Sequence, residues 1–224
     1  MTRLAARTLQ GSSRGPTLRV EMMAPQAPLP LEKPKAMLTR LCLLALTLTA
    51  CATQSPVDEA YGPVVAVAVA NVEARSGSRV NGTVTFTETE RTASDGTAER
   101  RVHVQYDLHG LTPNEARGFH IHMVGNCSGA DAMTAAGHFN PEGHNHGSMD
   151  GSQSHAGDLG NIKADANGNA SGLIKDLRKI TLRERVPNSV LWRSVIVHAQ
   201  ADDLVSQPTG NAGARVGCGV IVPD

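Results

Sequence analysis

From Val64 to the C-terminus the chain is a succession of short β-rich runs, each cut off by Gly, Asn, Asp or Ser, and this punctuation restricts it to an all-β fold. VVAVAVANVEA and RVNGTVTFTETE are separated by Ser-Gly-Ser. In RRVHVQYDL, Val102, Val104, Tyr106 and Leu108 alternate with Arg101, His103, Gln105 and Asp107, the period-two pattern of a strand with one buried face. GFHIHMV, NIKADANGNASGLIKDL, SVIVHAQ and ARVGCGVIV continue the series. About eight strands joined by glycine turns point to an antiparallel sandwich or barrel rather than an α/β fold. The one helix-like stretch is DLRKITLRERV, which has no firm cap. Only six residues are aromatic, so the core must be built from Val, Ile, Leu and Ala. No repeat recurs at a fixed period, which argues against a solenoid or propeller.

The formal charge of zero over 224 residues argues against a strongly basic nucleic-acid binder. Residues 1–50, however, carry seven Lys/Arg against two Asp/Glu, and residues 51–224 carry fourteen against nineteen. Leu41 to Ala50 (LCLLALTLTA) follows Lys33, Lys35 and Arg40 and is too short to span a bilayer, but it suits the apolar region of a signal peptide. The sequence Leu48-Thr49-Ala50-Cys51 is similar to a bacterial lipobox, in which the cysteine thiol is acylated and the mature protein hangs from the membrane by its lipid. The alternative is an ordinary secretory signal in which Cys51 is incidental. The expected organisation is therefore an N-terminal extension and lipoprotein signal peptide over 1–50, a flexible tether with lipidated Cys51 over 51–61, and one β domain over 62–224. Ala52 gives no aspartate-type inner-membrane retention signal, which favours the outer membrane of a bacterial envelope, facing the periplasm. Cys42 falls in the signal, leaving Cys127 and Cys218 in the mature chain. In an oxidising compartment they pair, or else remain two separate buried thiols.

His120 and His122 lie two apart in Gly118-Phe119-His120-Ile121-His122, so on a strand both imidazoles face one side while Ile121 faces the other. Alone the pair is a weak metal signal. The following stretch, Gly125 to Asp158, is long, rich in Gly, Ser, Asn and Ala, and contains His138, His144, His146, His155 and Asp158. Imidazoles with one carboxylate suit zinc or copper, whereas a mobile loop that picks up metal adventitiously is the bland reading. His198 ends the run Ser194-Val195-Ile196-Val197 and is either a core histidine or the distant ligand of the same site.

GFHIH, GHFNP with a histidine eight positions after its own, HAGDLGN, VIVHAQADDL and TGNAGARVGCGVI, in that order, closely resemble the copper/zinc superoxide dismutases over about residues 62–222. The resemblance implies an eight-stranded antiparallel Greek-key β-barrel or sandwich with long metal-binding loops, an architecture also known for that family. It implies copper on His120, His122, His138 and His198, and zinc on His138, His146, His155 and Asp158, with His138 bridging through both ring nitrogens. It further implies a Cys127–Cys218 disulfide, Asp202 linking ligands of the two metals by hydrogen bonds, Arg215 docking the anion beside copper, and Thr209 narrowing the channel mouth. His103, His109 and His144 fall outside the pattern.

The activity so implied is conversion of superoxide to dioxygen and hydrogen peroxide by copper redox cycling, with a structural zinc and with His138 as both ligand and proton donor. Superoxide and a membrane are the expected partners, nucleic acid is not, and a homodimer is left open. Two features depart from the family pattern. VSQPTGNAGA lacks Lys and Glu, so the charged guiding loop looks shortened, and Met123 stands where an acidic residue is common. The shortening bears on steering and salt dependence rather than on chemistry. The competing readings are a non-catalytic envelope copper/zinc buffer, disfavoured by Arg215 beside a full ligand set, and a copper chaperone, which would normally carry an extra thiol motif that no cysteine beyond Cys127 and Cys218 is left to supply.

Overall fold

The computed structural model describes residues 61–224; residues 1–60, including Cys51 and the signal and tether regions expected there, lie outside the described residues. Nine strands follow in chain order: β1 (Val64–Ala74), β2 (Asn81–Thr92), β3 (Ala98–His109), β4 (Ala116–His122), β5 (Asp158–Lys163), β6 (Ala170–Leu177), β7 (Ser194–His198), β8 (Arg215–Val220) and β9 (Val222–Pro223). They pair in the order β5-β4-β7-β8-β1-β2-β3-β6, every pairing antiparallel, with β9 added to β1. The two ends of this order, β5 and β6, are consecutive in sequence. The Asp165 to Asn169 turn joins them, so the sheet curls into a nearly closed Greek-key barrel. Eight of the nine strands fill the expected number, and β9 is a two-residue addition. Among the described residues no helix is long and apolar enough to cross a membrane.

Local chemistry sets these elements. Between β1 and β2, Ser76 and Gly77 both have positive φ (53° and 71°), and Ser78 N donates to Arg75 O at 3.0 Å. This is the condition for a type I′ turn, whose twist matches the flanking strands. Along β1 the buried residues are Ala68, Ala70 and Val72, a period of two, and they face Val84 and Phe86 of β2 and Val102 and Val104 of β3 across one core. Removing Phe86 or Phe119 from water contributes roughly 1.5–3 kcal/mol each, which makes these few aromatics anchors in a core otherwise made of small branched side chains.

Two expectations fail, for visible reasons. DLRKITLRERV is not a helix: Ile180 and Leu182 are both buried at a spacing of two. The Thr181 backbone bonds instead to Asn188 O (3.1 Å) and to Val190 N (3.0 Å), and Arg185 has a left-handed φ of 58°. The Thr181 hydroxyl then donates to the wholly buried Glu88 carboxylate, which also lies 3.3 Å from Arg100 Nη1. The second exception is His103, an outward position by the alternation of β3, yet 1% exposed. Tyr61, the last residue assigned to the tether, packs against it with the rings tilted by 51° and their centroids 4.4 Å apart.

Candidate metal centre

β4 (ARGFHIH) alternates between two buried environments. Phe119 and Ile121 enter the barrel core, and His120 and His122 point to the other side. β7 lies antiparallel to β4 with Phe119 opposite Val197, which sets His198 beside the His120 end, and β8 places Arg215 opposite His198. The loop after β4 returns as a backbone ladder. Met123 N donates to Gly137 O (2.9 Å), Phe139 N to Ile121 O (2.8 Å) and Ile121 N to Gly157 O (2.9 Å). Phe139 is buried beneath Arg193, whose guanidinium carbon lies 3.7 Å from the ring centroid. The stretch that the sequence left structureless is thereby fixed, and it carries His138, His146 and His155 up to Asp158 at the start of β5.

Two groups of four donors result. His120, His122, His138 and His198 each offer a nitrogen, and His138, His146, His155 and Asp158 each offer one donor atom. Within each group the donor atoms lie within 4.8 Å of one another, and all seven residues are buried. His138 serves both groups: Nδ1 lies 2.8 Å from Asp158 Oδ1, and Nε2 has no hydrogen-bond partner. In the first group His122 Nδ1 meets Ala136 O at 2.9 Å and His198 Nδ1 meets Gly213 O at 3.2 Å. Carbonyl partners require Nδ1–H, so the two Nε2 atoms, 3.4 Å apart, face each other as lone pairs. His120 Nδ1 and His146 Nδ1 are likewise buried without a hydrogen bond, the latter 3.1 Å from Asp158 Oδ1 but off a bonding angle. Unpartnered buried nitrogens are costly in a protein interior, and lone pairs converging on one point are satisfied together by a cation. The donor set therefore fits two metals, one all-imidazole and one three-imidazole-plus-carboxylate.

The electrostatics agree. Burial drives the His198 imidazole down to about 3 and His120, against its hydrogen bond to Asp202, down to about 4. His122 is also held well below the ordinary range by burial, so these side chains present neutral nitrogens, the ligand form. Burial alone would raise the Asp158 carboxyl, but the hydrogen bonds of His138 and Gly147 N–H and the neighbouring His146 and His155 outweigh it and bring it to about 2. Asp158 therefore offers a carboxylate at any ordinary pH.

Asp202 joins the two groups from behind, with Oδ2 2.7 Å from His120 Nε2 and Oδ1 2.9 Å from His146 Nε2. With His120 neutral, this contact is an N–H donating to a carboxylate, which fixes the ring so that Nδ1 faces inward. Gly210 makes room for it: its φ is +65°, and a Cβ there would fall on Asp202 Oδ1 and 2.5 Å from His146 Nε2. The short 203–210 loop also contributes a residue that the sequence pattern did not reveal. Gln207 Oε1 accepts from His146 N and Gln207 Nε2 donates to His146 O, both at 2.8 Å, clamping that histidine's main chain across 61 residues of sequence.

Over the all-imidazole group lies a cleft of about 260 Å³ lined by His122, His198, Thr209, Asp131, Met133 and Arg215. Arg215 Nη1 donates to Ala132 O at 2.7 Å, which fixes the guanidinium at the cleft wall. The Cys127–Cys218 disulfide ties the Ala132 loop to β8 three residues beyond Arg215. A second arginine, Arg75, donates from Nε to Cys127 O (2.8 Å) and steadies the same loop; its place after β1 gave no motif to find it by. The bystander histidines stay apart from both groups. His103 lies against Thr89 Oγ1 (3.3 Å), His109 meets Asn169 on the surface, and His144 is bound through its main chain to Asn140. Met123 is 48% exposed, with its carbonyl held by Arg193.

An antiparallel β-barrel bearing two adjoining four-donor sites that share one imidazole, with an arginine over one of them, is a two-metal protein built for a small anion. Residues 80–221 match the family model of copper/zinc superoxide dismutase (SODC). The chain is 45% identical over 155 residues to the Cu-Zn superoxide dismutase of Yarrowia lipolytica and 44% identical to that of Neurospora crassa, in each case over 66% of this chain and 92% of the relative. Among solved structures it is similar to the clock protein EA4 (36% identity, TM-score 0.58, 70% of this chain and 94% of that one). A double mutant of a SOD-like protein from Bacillus subtilis also matches (30% identity, TM-score 0.55, 69% and 96%). The chain belongs to the copper/zinc superoxide dismutase family. It is an enzyme of that family, with copper and zinc as its cofactors and superoxide as its substrate.

Proposed function

We propose that this chain removes superoxide in a bacterial envelope, holding copper on His120, His122, His138 and His198 and zinc on His138, His146, His155 and Asp158. The observation that carries the reading is the shared His138, buried between the two groups with its two nitrogens facing different donors. When bound, copper supplies a one-electron couple that one superoxide can reduce and a second can reoxidise, while zinc, without redox chemistry, holds its ligands.

The side chains do the rest. Arg215, its Nη1 engaged by Ala132 O, presents a fixed positive charge to an anion entering the cleft, and Thr209 narrows the space beside it. Asp158 holds His138 at Nδ1, so Nε2 is the atom at which His138 takes up and gives away a proton during turnover. Asp202 orients one ligand of each group, His120 through Oδ2 and His146 through Oδ1. Dismutation delivers dioxygen and hydrogen peroxide from two superoxide ions and two protons.

In His120→Ala, copper and activity are lost and most zinc stays, as read by metal content after dialysis beside a superoxide assay. Loss of both metals in equal measure, or full activity, contradicts the assignment. The envelope part of the proposal includes a lipid on Cys51 and outer-membrane tethering, supported by the basic flank, the apolar run and the small residues before that cysteine. Cys51→Ala moves the protein from the membrane to the soluble fraction; unchanged membrane retention argues against acylation as the anchor. A homodimer belongs to the same proposal, and Met123, Val124 and Trp192 are exposed apolar side chains available to it.

A further inference from the structure

A second cavity, of about 300 Å³, opens on the other group of donors. It is lined by the ligand residues His155 and Asp158 together with Asp150, Ser152, Lys179 and Ile180, and it shares no lining residue with the cleft of Arg215. Its wall is closed in an unusual way. Lys179 Nζ, on the segment after β6, donates to Gly151 O at 2.5 Å, to Ser154 Oγ at 2.6 Å and to Ser154 O at 3.3 Å. Ser154 Oγ in turn donates to Gly151 O at 2.9 Å. All three donors of an ammonium group are thus spent on one turn, which ends one residue before His155. Asp158, Glu142 and Asp150 face this ammonium, yet none forms a direct ion pair with it, and burial pulls its pKa down. A surface lysine normally keeps its head in water and its rotamer freedom. One that surrenders both to neutral acceptors of a single turn holds that turn shut.

We propose that this cavity is a door for zinc, separate from the copper cleft, and that Lys179 is its latch: zinc enters and leaves when the Gly151–Ser154 turn swings away from Lys179. The inference rests on the zinc assignment made above. Lys179 is a positioning residue, acting on His155 and Asp158 through the turn that precedes them. Groups hydrogen-bonded directly to metal ligands are worth about 10–100-fold in affinity; Lys179 acts one step further out, through the turn, and its effect is expected mainly in the release rate.

The test uses the full chain loaded with copper and zinc and follows release of each metal to its own chromogenic chelator. Lys179→Met speeds zinc release about tenfold or more, and the milder Ser154→Ala speeds it in the same direction. Copper release and the unfolding midpoint of the metal-free chain stay at wild-type values. Cobalt(II) bound in place of zinc shows an altered visible spectrum in Lys179→Met. Ser152→Trp, at an exposed position on the cavity mouth, slows cobalt(II) uptake by the metal-free chain and leaves copper uptake alone. Unchanged zinc release in both latch variants overturns the latch, as does equal acceleration of both metals, and unchanged uptake in Ser152→Trp overturns the door. A wild-type chain that binds no zinc at His138, His146, His155 and Asp158 removes the parent assignment and the latch with it, an outcome distinct from the others.

Discussion

Replacing His138 by alanine is expected to empty both metal positions at once. Its Nδ1 stands among the donors of one group and its Nε2 among those of the other, so a single truncation leaves each group with three side chains. Removing an outer partner of a metal ligand already costs 10–100-fold in affinity, and losing a ligand from both groups exceeds that, by about 100-fold or more for each metal. Stability falls with it, because a metal bound at 1,000 times its dissociation constant contributes about 4 kcal/mol by mass action. Metal content after dialysis, read beside the unfolding midpoint, checks this. Retention of either metal at wild-type stoichiometry would show that the two groups do not depend on a common imidazole. The contrast with His120→Ala, which spares zinc, separates the shared ligand from an unshared one.

The second large effect concerns the disulfide. Cys127 and Cys218 are 91 residues apart, and cross-linking a loop of that size restricts the unfolded chain by about 4–5 kcal/mol in the loop-entropy account. In a domain of this size each kcal/mol moves the midpoint by about 2–4 °C, so Cys127→Ala/Cys218→Ala lowers it by about 10 °C or more. The pair also packs with Ala132, Ala135 and Ile196, and Ala132 O is the acceptor that fixes Arg215. Activity therefore drops at temperatures where the variant is still folded. Calorimetry of the metal-loaded variant, with a superoxide assay well below its midpoint, reads both effects. A midpoint shift under about 3 °C with full activity would falsify this role.

The strands were legible because their signal is local. The alternation of β3, the β-rich run of β1 and the turn residues that bound them act over a few neighbours, and apart from His103 the structure uses them as read. His103 escaped because Tyr61, more than forty residues away, covers it, which no period-two pattern encodes. The helix-like reading of DLRKITLRERV failed because Thr181 finds backbone partners at Asn188 and Val190, and tertiary bonding overrode a weak propensity.

At the metal groups, the i, i+2 spacing of His120 and His122 pointed to a shared face. Assembling them with His138 and His198 needed either the family resemblance or the pairing of β4 with β7. Gln207 and Lys179 left no trace in the sequence. Both act on main-chain atoms of a distant loop, where residue type matters less than the fold that delivers it.

The most direct measurement is the decay of superoxide followed by stopped flow with the full chain carrying one copper and one zinc, beside an equally loaded Arg215→Ala protein. The account predicts rapid decay by the parent, with loss on the order of 10–100-fold in the variant because the fixed charge that gathers the anion is gone. It also predicts a weaker dependence on ionic strength in the variant. No catalysis by the fully loaded parent, or identical rates in the two proteins, would contradict it and leave a chain that binds copper and zinc without turning over superoxide at Arg215.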